Sequence, residues 1–208
     1  GQVRVPGQLI LRELGVGRSP VVNVENACAT AATAFQQACT MVSAGLYDVV
    51  LACGVEKLYH QDKLRTFSVF SGAVDVEAMD EVVGGIAQRI AALGAPIDTA
   101  GAGTTRSLFM DIYAIWALSH MQRYGTTREQ FAMVSAKNSL HGSLNPKAQY
   151  RDVITVADVL AAREVSWPLT LPMCSPIGDG AAAAIIVSER KMRELGMARA
   201  VRVEASQL

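Results

Sequence analysis

Cys28 has the clearest chemical potential in the chain, because it stands in VENACATAATAF (24–35) at the predicted start of an alanine-rich helix. The first backbone N–H groups of a helix lack intrahelical partners, and the partial positive charge there favours an anion. We therefore expect a lowered pKa for this thiol. The same N–H groups could stabilise an oxyanion on a substrate carbonyl. Position alone leaves a catalytic nucleophile and an inert buried thiol equally open.

A cysteine nucleophile needs a nearby base, and the sequence does not place one. We predict that His120 lies in a helix and that His60 and His141 lie in loops, none of them placed near Cys28 by sequence. The remaining cysteines form no C-x-x-C pair, which indicates free thiols in a reducing compartment and predicts no metal site. We interpret Cys39 and Cys53 as core-filling residues on a helix and in a strand.

Polar residues near the predicted elements have weaker claims on chemistry. Glu25 and Asn26 flank Cys28, and we expect the Asn26 side chain to cap the helix. Glu56 follows an apolar strand and is expected to form a local ion pair with Lys57 or an arginine. Asp179 lies between two glycines and is interpreted as a turn former.

The elements that must position Cys28 alternate between strand and helix. Residues 21–24 and 48–53 are strand-like and flank a helix over 28–44, which predicts a βαβ unit with a parallel sheet. Residues 58–174 are mostly helical, with helices predicted at 76–93, 109–124, 128–140 and 155–163. Strand character returns at 181–187, followed by a Ser188-capped helix and a further strand at 200–205.

Composition excludes several function classes. Hydrophobic residues make up 50% of the 208 and charged residues 18%, as expected for a chain that forms a core. Nineteen basic and nineteen acidic residues balance without a basic run, and aromatic residues are only 6%, so we expect no nucleic-acid partner. No apolar stretch is long enough to span a bilayer, so we expect no membrane span.

Three separated segments resemble the thiolase superfamily, most closely its sterol-carrier-protein and lipid-transfer-type members. They are NVENACATAATAF, LACGVEKL and CSPIGDGAAAAIIVSE, and the loop KNSLHGSLNPKAQYRD is similar as well. The resemblance implies an α/β fold: the thiolase-like N-terminal half, with a βαβ-based mixed sheet, a buried helix and a helical insertion. It places 1–57 and 175–208 in the core and 58–174 in an inserted loop domain.

The same resemblance implies the chemistry. Cys28 matches the nucleophile that an acyl-CoA acylates, and His141 falls in a loop that such proteins use near coenzyme A. The substrate would be a coenzyme A thioester, with no permanently bound cofactor. The partners would be a second copy or more in a homodimer or tetramer, with a small OB-fold subunit as a further candidate.

The chain departs from the thiolase pattern in what it lacks. The Gly-His-Pro histidine, the second catalytic cysteine and the His- or Asn-x-x-Phe motif are absent, and Cys174 lies in a different context from that second cysteine. We therefore interpret the chain as the middle portion of a thiolase, with no turnover by itself. We place it in the cytoplasm, with the peroxisome as an alternative, because Ser206-Gln207-Leu208 matches Ser-Lys-Leu at two positions.

Two alternatives to thiolase activity stay open. A lipid-transfer-type aldolase would cleave a steroid side-chain coenzyme A thioester and would not depend on Cys28. A non-catalytic acyl-CoA or lipid-binding module would hold Cys28 as an inert thiol. Replacing Cys28 distinguishes an aldolase, which keeps its activity, from a thiolase, which loses it. The reactivity of Cys28 with iodoacetamide distinguishes a catalytic thiol from the inert thiol of a binding module.

Overall fold

The computed structural model describes residues 5–98, 100–102 and 107–208, and the chain divides into two compact units. The sheet unit comprises Gly1–Lys57 and Asp179–Leu208, and the helical unit comprises Leu58–Gly178. No helix within the described ranges combines the length and the apolar character that crossing a membrane requires.

The elements follow one another along the chain with short connections. The helices are α1 (Pro6–Glu13), α2 (Thr30–Ser43), α3 (Lys63–Ser68), α4 (Met79–Ala92), α5 (Phe109–Tyr124), α6 (Arg128–Ser143), α7 (Val156–Ala161) and α8 (Glu189–Glu194). The strands are β1 (Val49–Lys57), β2 (Glu164–Ser166), β3 (Leu169–Thr170) and β4 (Asp179–Val187). Single 3-10 turns occupy Ala27–Ala29, Phe70–Ala73 and Leu171–Met173.

The sheet of the sheet unit is antiparallel, which corrects the prediction of a parallel βαβ sheet. β1 pairs with β4 over its whole length, from Val49 opposite Val187 to Lys57 opposite Asp179. The expected strands at 21–24 and 200–205 are extended segments without strand pairing in the described residues. Local apolar patterning does not make a strand by itself, because a strand exists only through hydrogen bonds to a neighbour.

Asp179 is the first residue of β4, so its predicted role in a Gly-Asp-Gly turn is wrong. Its carboxylate Oδ2 lies 2.5 Å from the Lys57 ammonium Nζ, and the two residues are paired in the strand register. The strand register thus brings together two charged residues that are far apart in sequence. It also provides the ion pair that we had expected for Glu56, whose Oε1 instead accepts the Lys57 backbone N–H at 3.1 Å.

Helix α2 packs against one face of the sheet through residues with little side-chain volume. A Cβ added at Gly54 of β1 would lie 3.0 Å from the Ala31 Cβ of α2. Within α2 only Thr33 and Ala38 are buried, so the helix is less enclosed than we predicted. Cys53 points away from this packing and is exposed, which corrects its assignment as a core-filling residue.

The helical unit has its own core between α4 and α5. Ile86 and Ile90 of α4 pack with Leu108 and with Ile115 of α5. The bounds of α5 agree with the prediction from 109 to 124, and it ends at Gly125, which has a positive φ of 70°. This left-handed conformation is easily adopted by glycine and commonly ends helices.

Local side-chain bonds define the next helices of this unit. Thr155 caps α7: its Oγ1 accepts the Asp158 N–H at 3.1 Å, and the Asp158 carboxylate accepts the Thr155 N–H at 2.8 Å. Bonds from the Thr155 hydroxyl and then its N–H hold the pKa of Asp158 below its ordinary value. Thr155-x-x-Asp158 is thus a capping box with an acid at N3, and α7 ends at Ala161, two residues before the predicted end of the helix.

A buried polar contact joins α5 to the short β2–β3 hairpin. The Ser166 hydroxyl donates to Asp111 Oδ1 at 2.8 Å, and both residues are buried. The carboxylate lies among apolar residues of the core, so hydrogen bonding is needed to offset the cost of its burial. The contact therefore contributes to the stability of the helical unit.

Candidate active site

Cys28 lies in the 3-10 turn Ala27–Ala29 that leads directly into α2, and it is exposed. The predicted helix over 28–44 is therefore a tight turn followed by an α-helix from Thr30 to Ser43. The location at the N-terminal end of the helix agrees with the sequence prediction. The exposure of Cys28 leaves the sulfur accessible to reagents from solution.

The residue before Cys28 has a strained backbone. Ala27 has a φ of 46°, in the left-handed region that residues other than glycine rarely adopt. A conformation of this kind costs on the order of 1–3 kcal/mol and persists only where the surrounding structure enforces it. The turn that carries the thiol is thus held against its local preference.

Glu25, and not Asn26, caps this turn with its side chain. The Glu25 Oε1 atom accepts the Ala27 N–H at 2.8 Å and the Thr30 hydroxyl at 2.8 Å. The Asn26 side chain makes no cap bond and instead donates from Nδ2 to Thr33 Oγ1 at 2.9 Å. The capping role predicted for Asn26 is therefore wrong, and Glu25 provides the cap.

The backbone N–H groups around the sulfur can be accounted for one by one. The N–H of Ala27 is bonded to Glu25, and the N–H of Ala29 is bonded to the Asn26 carbonyl at 2.9 Å. Asn26 donates its own N–H to Thr30 Oγ1 at 2.8 Å. In the described part of the chain, no acceptor receives the Cys28 N–H. This N–H is therefore available to a bound carbonyl oxygen.

All three histidines belong to the helical unit, so the sheet unit contains no imidazole. His60 Nδ1 accepts the Asp62 N–H at 2.9 Å, and His120 Nδ1 lies 2.8 Å from the Thr126 hydroxyl. His141 is in the last turn of α6 and is exposed, which corrects its assignment to a loop. Helix α6 continues through Gly142 and ends at Ser143.

Cys174 has the properties of a structural thiol. Burial raises the pKa of Cys174, against a smaller opposing effect of the Arg163 charge. Its Sγ also contacts the Thr170 carbonyl oxygen at 3.5 Å. A thiol that holds its proton more firmly is a weaker nucleophile at neutral pH, which supports excluding Cys174 from catalysis. Within the described ranges, no three His, Cys, Asp or Glu side chains are grouped to hold a metal.

Comparison with known families assigns the chain. Residues 2–163 match the model of the thiolase N-terminal domain, and this match covers most of the chain. The chain belongs to the thiolase family. The resemblance noted in its sequence is thereby confirmed, and the exposed cysteine at the start of α2 lies within the matched region.

Relatives with known names support the same assignment. The benzoylsuccinyl-CoA thiolase subunit BbsB of Thauera aromatica is 33% identical over 204 residues, which cover 97% of this chain and 46% of BbsB. An acetyl-CoA acetyltransferase of Methanothermobacter thermautotrophicus is 37% identical over 186 residues, or 89% and 42% of the two chains. Human sterol carrier protein 2 is 31% identical over 202 residues, or 96% and 34%.

A solved structure has a similar fold. The Ltp2-ChsH2(DUF35) aldolase aligns with a TM-score of 0.62 and 24% identity, covering 93% of this chain and 44% of the aldolase chain. This likeness supports a thiolase-like mixed α/β fold. The chain spans less than half the length of each of these relatives.

Proposed function

We propose that this chain carries the nucleophile of an acyl-CoA acyltransferase of the thiolase type, and that Cys28 is that nucleophile. The supporting observation is an exposed thiol at a strained helix start, in a member of the thiolase family, with a backbone N–H that has no acceptor among the described residues. The substrate in this proposal is a coenzyme A thioester.

The chemistry begins with a thioester exchange. The Cys28 thiolate attacks the carbonyl carbon of an acyl-CoA, a new carbon–sulfur bond forms, and the bond to the coenzyme A sulfur breaks. Coenzyme A leaves as a thiolate that takes up a proton. The Cys28 N–H lies next to the new bond and can donate to the oxygen on which negative charge develops.

A second acyl-CoA completes the reaction. It loses an α-proton to a base, and the resulting carbon nucleophile attacks the acyl-cysteine carbonyl. The products are a 3-oxoacyl-CoA and the free Cys28 thiolate, and the reverse sequence cleaves a 3-oxoacyl-CoA. The sheet unit has no histidine, and this proposal assigns no residue of the chain as that base.

The proposal extends to the remaining contacts with substrate and partners. We keep His141 as a proposed coenzyme A contact, supported by its exposed position at the end of α6. We also propose that the protein forms a homodimer or tetramer and that a small OB-fold subunit is a further partner. The names of BbsB as a subunit and of Ltp2-ChsH2(DUF35) as a complex give precedent for assembly in relatives.

The decisive experiment compares Cys28→Ala with the unchanged protein, both made from the complete reading frame that encodes this chain. Incubation with acetyl-CoA and then proteolysis should yield an acetylated peptide that contains Cys28, and coenzyme A release should match it in amount. In Cys28→Ala we expect loss of both the acetylated peptide and thiolysis, with a fall in rate of at least several orders of magnitude.

Cys53→Ala is the matched control, because Cys53 is also an exposed thiol of the sheet unit. It should retain full acetylation and thiolysis. Retention of activity by Cys28→Ala would contradict the proposal, and cleavage of a steroid side-chain coenzyme A thioester by that variant would identify an aldolase. An unchanged protein that neither acetylates nor turns over would favour a binding module.

A further inference from the structure

The turn before Cys28 is held on both sides of its strained residue. Glu25 accepts the Ala27 N–H at 2.8 Å, and the Thr30 hydroxyl lies 2.7 Å from the Ala27 carbonyl oxygen. The Glu25 carboxylate and the Thr30 hydroxyl are also 2.8 Å apart. Both peptide groups that set the conformation of Ala27 are therefore restrained by the same pair of side chains.

The hydroxyl of Thr30 has one proton and two neighbouring acceptors. It can donate to Glu25 Oε1 or to the Ala27 carbonyl, while it accepts the Asn26 N–H at 2.8 Å. In either arrangement the Glu25 bond to the Ala27 N–H remains. Glu25 is therefore the fixed member of this set, and a charged acceptor makes a stronger bond than a neutral one.

We propose that Glu25 is a positioning residue for Cys28, which acts by holding Ala27 in the left-handed conformation that presents the sulfur and the Cys28 N–H together. It makes no contact with substrate in this role. This inference rests on the proposed function only in taking the Cys28 sulfur as a nucleophile. The reactivity of the thiol can be measured without acyl-CoA.

The sign of the Glu25 charge separates this role from an electrostatic one. An electrostatic role would depend on the negative charge of the carboxylate, which any neutral substitution of Glu25 removes. A positioning role depends instead on the hydrogen bond that Glu25 accepts from the Ala27 N–H, because this bond maintains the turn. Glu25→Gln retains an acceptor oxygen without the charge, whereas Glu25→Ala removes both.

The experiment measures alkylation by iodoacetamide at neutral pH of the protein made from the complete reading frame, with peptide mass spectrometry to follow each cysteine. The readout is the ratio of the Cys28 rate to the Cys53 rate. Cys53 lies on β1 of the same unit and is exposed, so it corrects for general loosening and reagent effects. Far-UV circular dichroism of each variant shows whether the helices are retained.

We expect the ratio to fall at least about fivefold in Glu25→Ala, which corresponds to losing about 1 kcal/mol of support for the turn. Glu25→Gln should stay within about twofold of the unchanged chain or exceed it. Ala27→Gly in the Glu25→Ala background should restore the ratio, because glycine adopts positive φ without the steric penalty of alanine.

Several outcomes would overturn the inference. It fails if Glu25→Ala leaves the ratio unchanged, if Glu25→Gln and Glu25→Ala change it equally, or if Ala27→Gly gives no recovery. Should Glu25→Ala lose its helices, Thr30→Val tests the same restraint from the other side, with the same expected fall and the same recovery through Ala27→Gly. The expected ratios together with no acetylation of the complete protein by acetyl-CoA would contradict the proposed function alone.

Discussion

Replacing Gly54 by alanine tests whether α2 and β1 are in as close contact as their small residues indicate. A Cβ at position 54 would lie 3.0 Å from the Ala31 Cβ, which belongs to a helix and cannot rotate away. Overpacking of this kind costs about 1–3 kcal/mol. Alanine in place of glycine also restricts the unfolded chain and returns about 0.4–1 kcal/mol. We therefore expect Gly54→Ala to lower the free energy of unfolding by about 0.5–2 kcal/mol.

Gly180 provides the matched control for this change. It lies in β4 opposite Glu56, and a Cβ added there meets nothing within 4 Å. Gly180→Ala lowers the conformational entropy of the unfolded chain without introducing a clash, so it should be neutral or slightly stabilising. The difference between the two variants then isolates the clash itself, at about 1–3 kcal/mol.

The second member of the contact supplies a double-mutant cycle. Ala31→Gly costs about 1 kcal/mol by itself, since glycine is a poor helix former. In the Gly54→Ala background it removes the clashing methyl group, so the double variant should be more stable than additivity predicts by about 1–3 kcal/mol.

Urea denaturation followed by far-UV circular dichroism measures the cycle. Tryptophan fluorescence follows the helical unit separately, because both tryptophans, Trp116 and Trp167, lie in it. Equal stability of Gly54→Ala and Gly180→Ala, or additive effects of Gly54→Ala and Ala31→Gly, would refute the close approach of α2 to β1.

Two further predictions concern polar contacts. The Ser188 hydroxyl and then the Arg190 charge lower the pKa of Asp48. The contribution of Asp48 to stability is therefore present above its unfolded pKa and is lost as the pH falls through its folded pKa. In urea titrations Asp48→Asn should destabilise the chain at neutral pH, and the difference should vanish in acid. Ser166→Ala removes a hydroxyl donor to buried Asp111 and should lower the free energy of unfolding by about 1–3 kcal/mol. The control Ser68→Ala changes an exposed hydroxyl and should stay within about 0.5 kcal/mol, with both variants followed by tryptophan fluorescence.

Elements set by local interactions are the ones that the sequence predicts well. The bounds of α5 follow from its apolar composition and from glycine at 125, which ends the helix in a left-handed conformation. The Thr155 and Asp158 cap involves residues three apart, and the pattern determines it directly. In both cases the deciding contacts lie within a few residues along the chain.

Elements that depend on distant partners are the ones that the sequence misjudges. Residues 21–24 have the apolar pattern of a strand but pair with no strand among the residues that the structure describes. Asp179 has turn-like neighbours but pairs with Lys57 of β1. Asn23 illustrates the alternative use of such a segment: its side chain accepts the Gly7 N–H at 2.8 Å and donates to Gln8 at 2.7 Å, so it contacts α1 instead of a strand. Strand formation requires knowledge of pairing that local patterns lack.

The candidate site combines both situations. The sequence correctly predicts a thiol at the start of a helix, but the capping role of Glu25 depends on the positive φ of Ala27, which no pattern indicates. The signal that was available is an acidic residue two positions before the strained alanine, with a threonine three positions after it. Carboxylates and hydroxyls favour free N–H groups at helix starts, so this spacing is a sequence signal for a cap.

The choice of alanine at position 27 has a physical consequence for a nucleophile. Glycine would adopt the same backbone conformation without strain, but it would also populate many others and lose more entropy on ordering. Alanine excludes most of these alternatives, and the bonds from Ala27 to Glu25 and Thr30 offset its strain in the one that remains. A reacting sulfur benefits from a single well-defined position, because misplacement by about 1 Å can cost about a hundredfold in rate. The strain at Ala27 and the side chains that support it therefore fit the nucleophile role that we propose for Cys28, at some cost to the stability of the helix start.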